Sequence, residues 1–274
     1  MSFSAIDASG RRVTLALPPR RIVSLVPSLT ELCFALGAGD RVVGVTRFCE
    51  QPPDARRLAR IVGGTKDPRI DRVLALDPDL VIVSLEENRK EDVEAIETAG
   101  VVTWRTLLED VPASVALVRQ LGRALAAEAP ADALAAAIAD ALATPPPAPP
   151  VRYFCPIWRH PYMIAATDTY MSDILARAGG EGVLARPSGG GPHYFEVSLA
   201  DVAAAAPAVV LLPSEPYPFA PKHLPEIEDS LGDTPAWRAG HVHLIDGKDV
   251  AWYGPRTPAA LARLRSIFAA LRPA

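Results

Sequence analysis

The sequence predicts an α/β fold with two lobes, each built on a parallel sheet, a long helix that joins them, and a small-molecule cleft between them. Three observations support this prediction: predicted strands alternate with predicted helices, an Ala- and Leu-rich segment divides the chain, and the pattern before that segment recurs after it. Alternating apolar strands and helices are typical of parallel sheets covered on both faces. A chain of 274 residues is long enough for two such domains.

The N-terminal lobe is assigned to residues 1–110. Its predicted strands are short apolar runs rich in β-branched residues, at 21–26, 42–45, 79–84 and 101–104. Its predicted helices have apolar residues at helical spacing, over 29–36, 70–76 and 89–99. Glycines follow the first and the last of these helices, as expected for helix ends.

Residues 111–144 form the predicted connection between the lobes. The segment is rich in Ala and Leu, and Pro130 divides it into helices over about 112–128 and 130–143. The first of these would be roughly 25 Å long at 1.5 Å per residue. A stiff, proline-rich run follows, so residues 145–274 are assigned to a C-terminal lobe.

The second lobe repeats the first at a fixed spacing. Three pairs of identical residues are separated by 129 positions, namely Pro27 and Pro156, Pro78 and Pro207, and Glu86 and Glu215. Each pair falls at a corresponding end of a predicted strand. The repeat therefore predicts the same strand and helix order in both lobes.

Candidate ligand-binding residues follow from this architecture. Open parallel sheets bind ligands beyond the carboxyl ends of their strands, where loops and helix N-termini offer free polar groups. In the first lobe the residues selected at these ends are Pro27, Ser28, Phe48, Lys66, Glu86 and Trp104. In the second lobe they are Trp158, Arg159, Tyr194, Glu215, Tyr217, Trp252 and Arg256.

Aromatic residues indicate what kind of ligand would bind. The chain has seven Phe, six Tyr and four Trp, and all but four of them follow residue 150. Loop aromatics can simply cover a core. Because many of these lie beside Lys66, Arg159 or Arg256, they also suit a large, partly apolar, ring-bearing ligand with polar edges.

Composition excludes several classes of partner. The formal net charge of −4 offers no basic face for nucleic acid. Cys33, Cys49 and Cys155 are widely spaced and lack a CxxC pattern, so we expect buried thiols. No apolar run is long enough for membrane insertion. The N-terminus carries no secretory signal pattern, so the expectation is either that a signal was removed or that the protein stays inside the cell.

Two competing functions remain open at this stage. A metal-binding protein would need ligands from both lobes, yet all five histidines lie in the second half; His241 and His243 could pair on one strand face, but a structural role is favoured. An enzyme could use Glu86, Glu215 and a histidine for acid–base chemistry. No GxSxG, P-loop or GxGxxG pattern accompanies them. We therefore assign no catalytic residue, catalytic cofactor or metal ligand.

The chain resembles the helical-backbone substrate-binding proteins of ABC importers, which carry vitamin B12, iron siderophores or haem. The resemblance covers nearly the whole chain and depends on the order and spacing of short motifs, at 19–31, 43–45, 63–65, 70–81 and 240–246. The chain looks most similar to the cobalamin-binding branch, through Pro52 and Pro53 and through the Ser-Leu-Thr-Glu sequence at 28–31.

The resemblance implies two Rossmann-like lobes bridged by a rigid helix, which here would be 112–128. It further implies a corrinoid such as cobalamin as the transported ligand, with an iron siderophore or haem as the alternative. Aromatic residues would sandwich the corrin, and the matching positions are Phe48, Trp104, Trp158 and Tyr217.

The resemblance also implies docking on an ABC permease through one acidic residue on each lobe. Asp71 matches the first position; the second falls at Ala200, with Asp201 one residue later. The expected protein is a monomer in the periplasm. A cytoplasmic corrinoid or haem carrier or sensor is the alternative.

Overall fold

The computed structural model describes residues 2–186 and 191–271, and the chain divides into two compact units. Within these residues, unit 1 contains the chain up to Leu108, Pro112–Ala139 and Tyr253–Pro255. Unit 2 contains Glu109–Val111, Asp140–Trp252 and the chain from Arg256 onward. Both units therefore include segments that are distant in sequence.

Unit 1 holds seven of the described strands. They are β1 (Ser2–Ile6), β2 (Arg12–Ala16), β3 (Ile22–Ser24), β4 (Val42–Val45), β5 (Arg60–Ile61), β6 (Leu80–Ser84) and β7 (Thr103–Thr106). Its helices are α1 (Pro27–Ala35), α2 (Ala55–Leu58), α3 (Ile70–Leu74), α4 (Lys90–Thr98), and most of α5 (Val111–Ala124) and α6 (Glu128–Ala143). A 3₁₀ turn spans Gly39–Arg41.

Five strands of unit 1 form one parallel sheet in the order β5-β4-β3-β6-β7. Every residue of β3 and β6 is buried, which explains why these strands are continuous apolar runs. Val23, Val81 and Val83 pack with Val73 of α3 and Ile96 of α4 in one core. The remaining strands, β1 and β2, form an antiparallel hairpin that the sequence did not predict.

Helices α5 and α6 differ in their boundaries from the predicted 112–128 and 130–143. The first ends at Ala124, and Ala126 takes a left-handed conformation (φ 52°) in the turn that follows. Pro130 is the third residue of α6 and not a break between helices, because the first turn of a helix has no intrahelical partner for its N–H groups. Gly122 gives α5 its close approach to α6, since a Cβ there would overlap the Cβ of Ala131.

Unit 2 holds the other seven described strands. They are β8 (Val151–Phe154), β9 (Pro156–Trp158), β10 (Met163–Ala165), β11 (Gly180–Gly182), β12 (Tyr194–Glu196), β13 (Val209–Pro213) and β14 (Val242–Ile245). Its helices are α7 (Tyr170–Ala178), α8 (Leu199–Ala204), α9 (Leu224–Leu231), α10 (Pro235–Arg238), α11 (Lys248–Ala251) and α12 (Thr257–Ala270). A 3₁₀ turn spans Pro221–His223.

The main sheet of unit 2 is also parallel, in the order β11-β8-β13-β14. This is the order of β4-β3-β6-β7 in unit 1. Strands β3 and β8 begin at Ile22 and Val151, and β6 and β13 begin at Leu80 and Val209, so both pairs keep the spacing of 129 residues. The two-unit α/β fold with parallel sheets is thus as the sequence predicts.

Unit 2 adds an antiparallel sheet in the order β12-β10-β9. The sequence did not predict this sheet, because its strands are only three residues long. Phe154, Val210 and Leu212 of the parallel sheet share a core with Ile164 of β10 and Ile227 of α9. None of the described helices combines the length and the apolar character needed to cross a bilayer.

Candidate ligand-binding site

Each parallel sheet has a point where the chain reverses its direction of travel across the sheet. In unit 1 it lies between β3 and β6, and in unit 2 between β8 and β13. Loops diverge beyond the carboxyl ends of the strands at such points, which makes them the usual ligand sites of open α/β sheets. Pro27 and Ser28 follow β3, Glu86 follows β6, and Glu215 and Tyr217 follow β13.

Pro27 and Ser28 open helix α1 just after β3, and both are buried. Burial raises the pKa of the Tyr253 phenol well above its usual value, while the nearby side chains of Ser28 and Thr106 lower it. Ser28 and Tyr253 are both buried in unit 1.

Asn88 joins three loops at the same edge. Its Oδ1 accepts a hydrogen bond from the Ser84 backbone N–H (2.8 Å), and its Nδ2 donates to the carbonyl oxygens of Leu25 (3.3 Å) and Thr65 (2.9 Å). Asn88 was not among the predicted site residues. A polar amide four residues after a buried strand is the signal that could have identified it.

Lys66 and Glu86 are brought together by a hydrogen bond from the lysine Nζ to the Glu86 carbonyl oxygen (2.6 Å). The bond links the loop before α3 to the loop after β6. The Lys66 ammonium is exposed and Glu86 is half-buried, so both remain accessible to a solute at this edge.

Phe48 is the most exposed aromatic ring of unit 1, at 50%. The Arg47 guanidinium lies 4.8 Å from the centre of this ring, and it also forms a bidentate ion pair with Asp67. The next residue, Cys49, is buried, and its Sγ lies within hydrogen-bonding distance of the hydroxyls of Thr30 (3.1 Å) and Thr46 (3.2 Å). The buried contacts of Cys49 thus fix this loop, and the adjacent Phe48 ring is exposed to solvent.

The structure corrects the placement of Trp104. This residue lies inside β7, is 1% exposed, and packs its ring 5.6 Å from that of Phe3. The predicted strand at 101–104 placed it at a strand end; the observed strand begins two residues later. Trp104 is therefore a core residue and is left out of the proposed site.

In unit 2, an aromatic cluster lies where β9 and β13 end. Trp158 is 45% exposed and meets Tyr217 edge-on, with ring centres 5.7 Å apart. Tyr217 in turn packs 4.8 Å from Phe219, and its backbone N–H donates to the carbonyl oxygen of Ile157 (3.2 Å). The ring of Trp158 is thus exposed to solvent on a firm aromatic support.

Arg159 binds both a carboxylate and a phenol beside this cluster. Its guanidinium pairs with both oxygens of Glu226, and its Nη1 donates to the Tyr217 hydroxyl (3.2 Å). Tyr162 also donates to Glu226 (2.9 Å). Hydrogen bonds from Arg159 lower the pKa of Glu226. The pair is consequently charged at neutral pH, and it fixes the position of the Tyr217 ring.

His223 completes the support of Tyr217. Its Nδ1 accepts from the backbone N–H of Ala220 (3.0 Å), and its Nε2 lies 3.4 Å from the Tyr217 oxygen. Burial lowers the pKa of His223, so the neutral imidazole carries its proton on Nε2 and donates to Tyr217. This residue was not predicted to take part.

Glu215 and Trp252 belong to a second polar group in unit 2. The Lys248 ammonium lies 3.7 Å from Glu215 and 3.8 Å from Asp246. The same ammonium lies 5.6 Å from the centre of the Trp252 ring. The Arg256 guanidinium lies 5.2 Å from the centre of that ring. Trp252 is only 5% exposed, so the cations, more than the indole itself, are presented to a solute.

Tyr194 lies on β12 and is 38% exposed. Since β12 and β9 both pair with β10, Tyr194 and Trp158 belong to the same small antiparallel sheet. The sequence selected both residues without predicting this sheet.

His243 lies in β14, and His241 directly precedes this strand. The Nε2 of His243 is buried without a hydrogen-bond partner, and burial lowers its pKa, with a further lowering by His241. Within residues 2–186 and 191–271, no three His, Cys, Asp or Glu side chains come together as metal ligands.

The two predicted docking carboxylates lie in the first turns of short helices. Asp71, in α3, has a side chain that is 67% exposed and is 3.3 Å from Arg69. Asp201, in α8, is exposed and accepts a hydrogen bond from the Ser198 hydroxyl (2.6 Å). Both carboxylates are accessible on the surfaces of their units.

Comparison with known proteins identifies the family. The sequence pattern of the periplasmic binding proteins matches residues 22–248, which include both parallel sheets. The chain belongs to this family. Its members are binding proteins for ABC transporters and not enzymes, so this chain is a substrate-binding protein of the kind that carries vitamin B12, haem or iron siderophores.

Individual relatives differ in the ligand they are named for. The vitamin B12-binding protein of Vibrio parahaemolyticus is 25% identical over 93% of this chain and 91% of its own length. The apo structure of a periplasmic haem-binding protein from Roseiflexus sp. RS-1 is 27% identical, with a TM-score of 0.77 over 92% of this chain and 98% of that one.

A third relative is an ABC transporter substrate-binding lipoprotein of Bacillus subtilis. It is 38% identical, but over 33% of this chain, and the matched part is 28% of the relative's own length. Relatives of this chain are thus periplasmic or lipid-anchored binding proteins, and they do not agree on one ligand.

Proposed function

We propose that this protein reversibly binds a cobalamin-like corrinoid and delivers it to an ABC importer. The observation that carries the proposal is the exposed Trp158 ring supported by Tyr217 at the carboxyl edge of unit 2. A corrin macrocycle is broad and flat, so it gains most from large aromatic faces that are held rigidly before it arrives.

Hydrogen-bonding groups around the aromatic rings suit the amide side chains at the edge of a corrin. In unit 2 the proposed contacts are Trp158, Arg159, Tyr194, Glu215, Tyr217, Trp252 and Arg256. In unit 1 they are Phe48, Lys66 and Glu86, with Pro27 and Ser28 supporting the edge. Ligand pockets of this type combine an apolar lining with a few placed polar groups.

The named relatives support two ligand classes. The Vibrio parahaemolyticus protein is named for vitamin B12, in keeping with the proposal. The Roseiflexus protein is named for haem, and haem is the second candidate because it is also a flat macrocycle that would lie against Trp158. An iron siderophore follows as a third ligand of the same class of importer.

The proposed partner is an ABC permease, and the proposed location is the periplasm. Asp71 and Asp201 are the proposed docking residues, since exposed carboxylates form ion pairs readily with arginines of a partner. The proposed state in solution is a monomer, which suits a protein that binds its permease and then dissociates from it.

Titration with cyanocobalamin, haemin and a ferric siderophore tests the ligand directly. Absorbance difference spectra and calorimetry of the purified chain should show saturable, stoichiometric binding of cyanocobalamin in the micromolar range or tighter. Saturable binding of haemin alone would replace the corrinoid with haem. Absence of corrinoid binding at micromolar concentrations would remove the proposed ligand.

A further inference from the structure

Two cations at the carboxyl edge of unit 2, Arg159 and Lys248, are accompanied by carboxylates. Arg159 pairs with Glu226, and Lys248 lies near both Glu215 and Asp246. The two cations beside Tyr217 and Trp252 are therefore compensated by neighbouring carboxylates.

Unit 1, taken by itself, presents the same balance at its own edge. Arg47 is paired with Asp67 at 3.0 Å. Lys66 donates to the Glu86 backbone, and the carboxyl groups of Glu86 and Glu87 belong to the same loop. This edge therefore has no excess of positive charge either.

The Arg159 geometry shows how the compensation works. Its Nε and Nη2 each donate a hydrogen bond to Glu226, and its Nη1 donates one hydrogen bond to the Tyr217 hydroxyl. A guanidinium has five N–H groups, so two remain for a ligand after these three are used. Because the charge is already neutralised by Glu226, the remaining N–H groups suit a neutral carbonyl acceptor better than a second carboxylate, which would meet repulsion from Glu226.

We infer that Glu226 and Glu215 determine the charge preference of this site, by compensating Arg159 and Lys248 so that it takes a flat ring ligand with uncharged, amide-like edges and disfavours one with carboxylate edges. The inference rests on the proposed function, because it concerns the same site. It narrows the ligand class to macrocycles without net negative charge.

The charge preference can be measured with one macrocycle in two charge states. Haemin carries two propionates, and its dimethyl ester has the same ring with neutral edges. In one detergent-containing buffer, the wild-type chain should bind the ester more tightly than haemin. Glu226→Gln leaves Arg159 uncompensated and should shift the affinity ratio toward haemin by about five- to tenfold, the effect of one charge-assisted hydrogen bond.

Matched variants separate the local effect from net charge and from misfolding. Asp229→Asn removes a negative charge from the exposed side of the same helix, α9, and should leave the ratio within twofold of the wild type. The double variant Arg159→Gln/Glu226→Gln should restore the wild-type ratio. Glu215→Gln tests the second ion pair independently, and near-UV circular dichroism checks that each variant is folded.

The outcomes distinguish this inference from the corrinoid proposal. If the chain binds cyanocobalamin but Glu226→Gln and Asp229→Asn shift the ratio equally, the charge inference fails and the function stands. Suppose instead that the wild-type chain binds no cyanocobalamin but binds the ester more tightly than haemin, and that Glu226→Gln shifts this ratio toward haemin. The corrinoid proposal then fails and the charge inference stands. A wild-type preference for haemin over its ester overturns the inference, and failure to bind any of the three rings overturns both.

Discussion

Trp158 combines exposure to solvent with a fixed position. Its ring is 45% exposed, and its position is nevertheless held by the edge of Tyr217 and by the backbone of β9. A ring fixed in this way loses little conformational freedom when a ligand covers it. Binding can therefore use most of the free energy gained from burying its surface.

The change Trp158→Ala is expected to weaken ligand binding by about 1–3 kcal/mol through loss of aromatic burial. Calorimetric titration with the ligand identified for the wild-type chain measures this directly. Leu58→Ala is the control, because Leu58 is 56% exposed in unit 1 and belongs to no proposed contact. Equal affinities for the wild type and the Trp158 variant would exclude this ring from the site.

Of the aromatic residues selected from the sequence, Phe48 and Trp158 are exposed and Trp104 is buried. The segment 103–106 reads Thr-Trp-Arg-Thr, which looks too polar for a buried strand. Each polar group has a partner: Thr106 donates to the Val83 carbonyl oxygen (2.9 Å), and Arg105 pairs with Glu97 (2.8 Å). These partners lie 23 and 8 positions away in the chain, so the pattern within the strand does not reveal them.

At the scale of elements, the central strands of the unit 1 sheet were predictable because they are continuous apolar runs. Strand β6 is an unbroken apolar run with all five residues buried. The antiparallel strands of unit 2 have three residues each, too few for any periodicity to be measured. Their pairing depends on the tertiary fold, which the local sequence pattern does not reveal.

Gly122 is the element-scale feature most open to a direct test. Gly122→Ala should lower the free energy of unfolding by about 1–3 kcal/mol, because its methyl group would overlap Ala131 and force α5 away from α6. The midpoint of urea denaturation, followed by circular dichroism, measures the loss.

Gly182→Ala provides the matched control for that measurement. A Cβ at Gly182 would meet its nearest neighbour at 3.6 Å, an ordinary contact distance. The same chemical change should therefore have little effect there. If both variants unfold at the same denaturant concentration, close packing of the two helices is not what requires glycine at position 122.

At the scale of the molecule, the repeat at 129 residues was the most informative signal in the sequence. It predicted equivalent strands in the two units, and β3-β6 and β8-β13 have that equivalence. It could not predict the charge pairs, because Arg159 and Glu226 are 67 positions apart, and the residue that the repeat aligns with Arg159 is Thr30. The general location of the candidate site follows from the fold, whereas its charge pairs do not follow from the repeat.

Docking on a permease gives a prediction for the whole protein. Changing both Asp71 and Asp201 to Arg should reduce uptake of the ligand by at least about tenfold, since two ion pairs would become repulsions. Uptake by cells that carry only the variant gene measures this effect, and titration of the purified variant should show unchanged ligand affinity.

Asp140→Arg is the control for this change of charge, because Asp140 is an exposed carboxylate of α6 with no proposed role. It should leave uptake near the wild-type level. Normal uptake in the Asp71 and Asp201 double variant would show that these carboxylates are not docking residues.

Tyr253 has a consequence for how the protein is made. It belongs to unit 1 and is buried, although more than a hundred residues separate it from the rest of that unit in the chain. A ribosome synthesises the chain from its N-terminus, so the other segments of unit 1 emerge long before this tyrosine. Until residue 255 has left the exit tunnel, the first unit lacks part of its own interior, and its completion must wait for synthesis of nearly all the described part of the second.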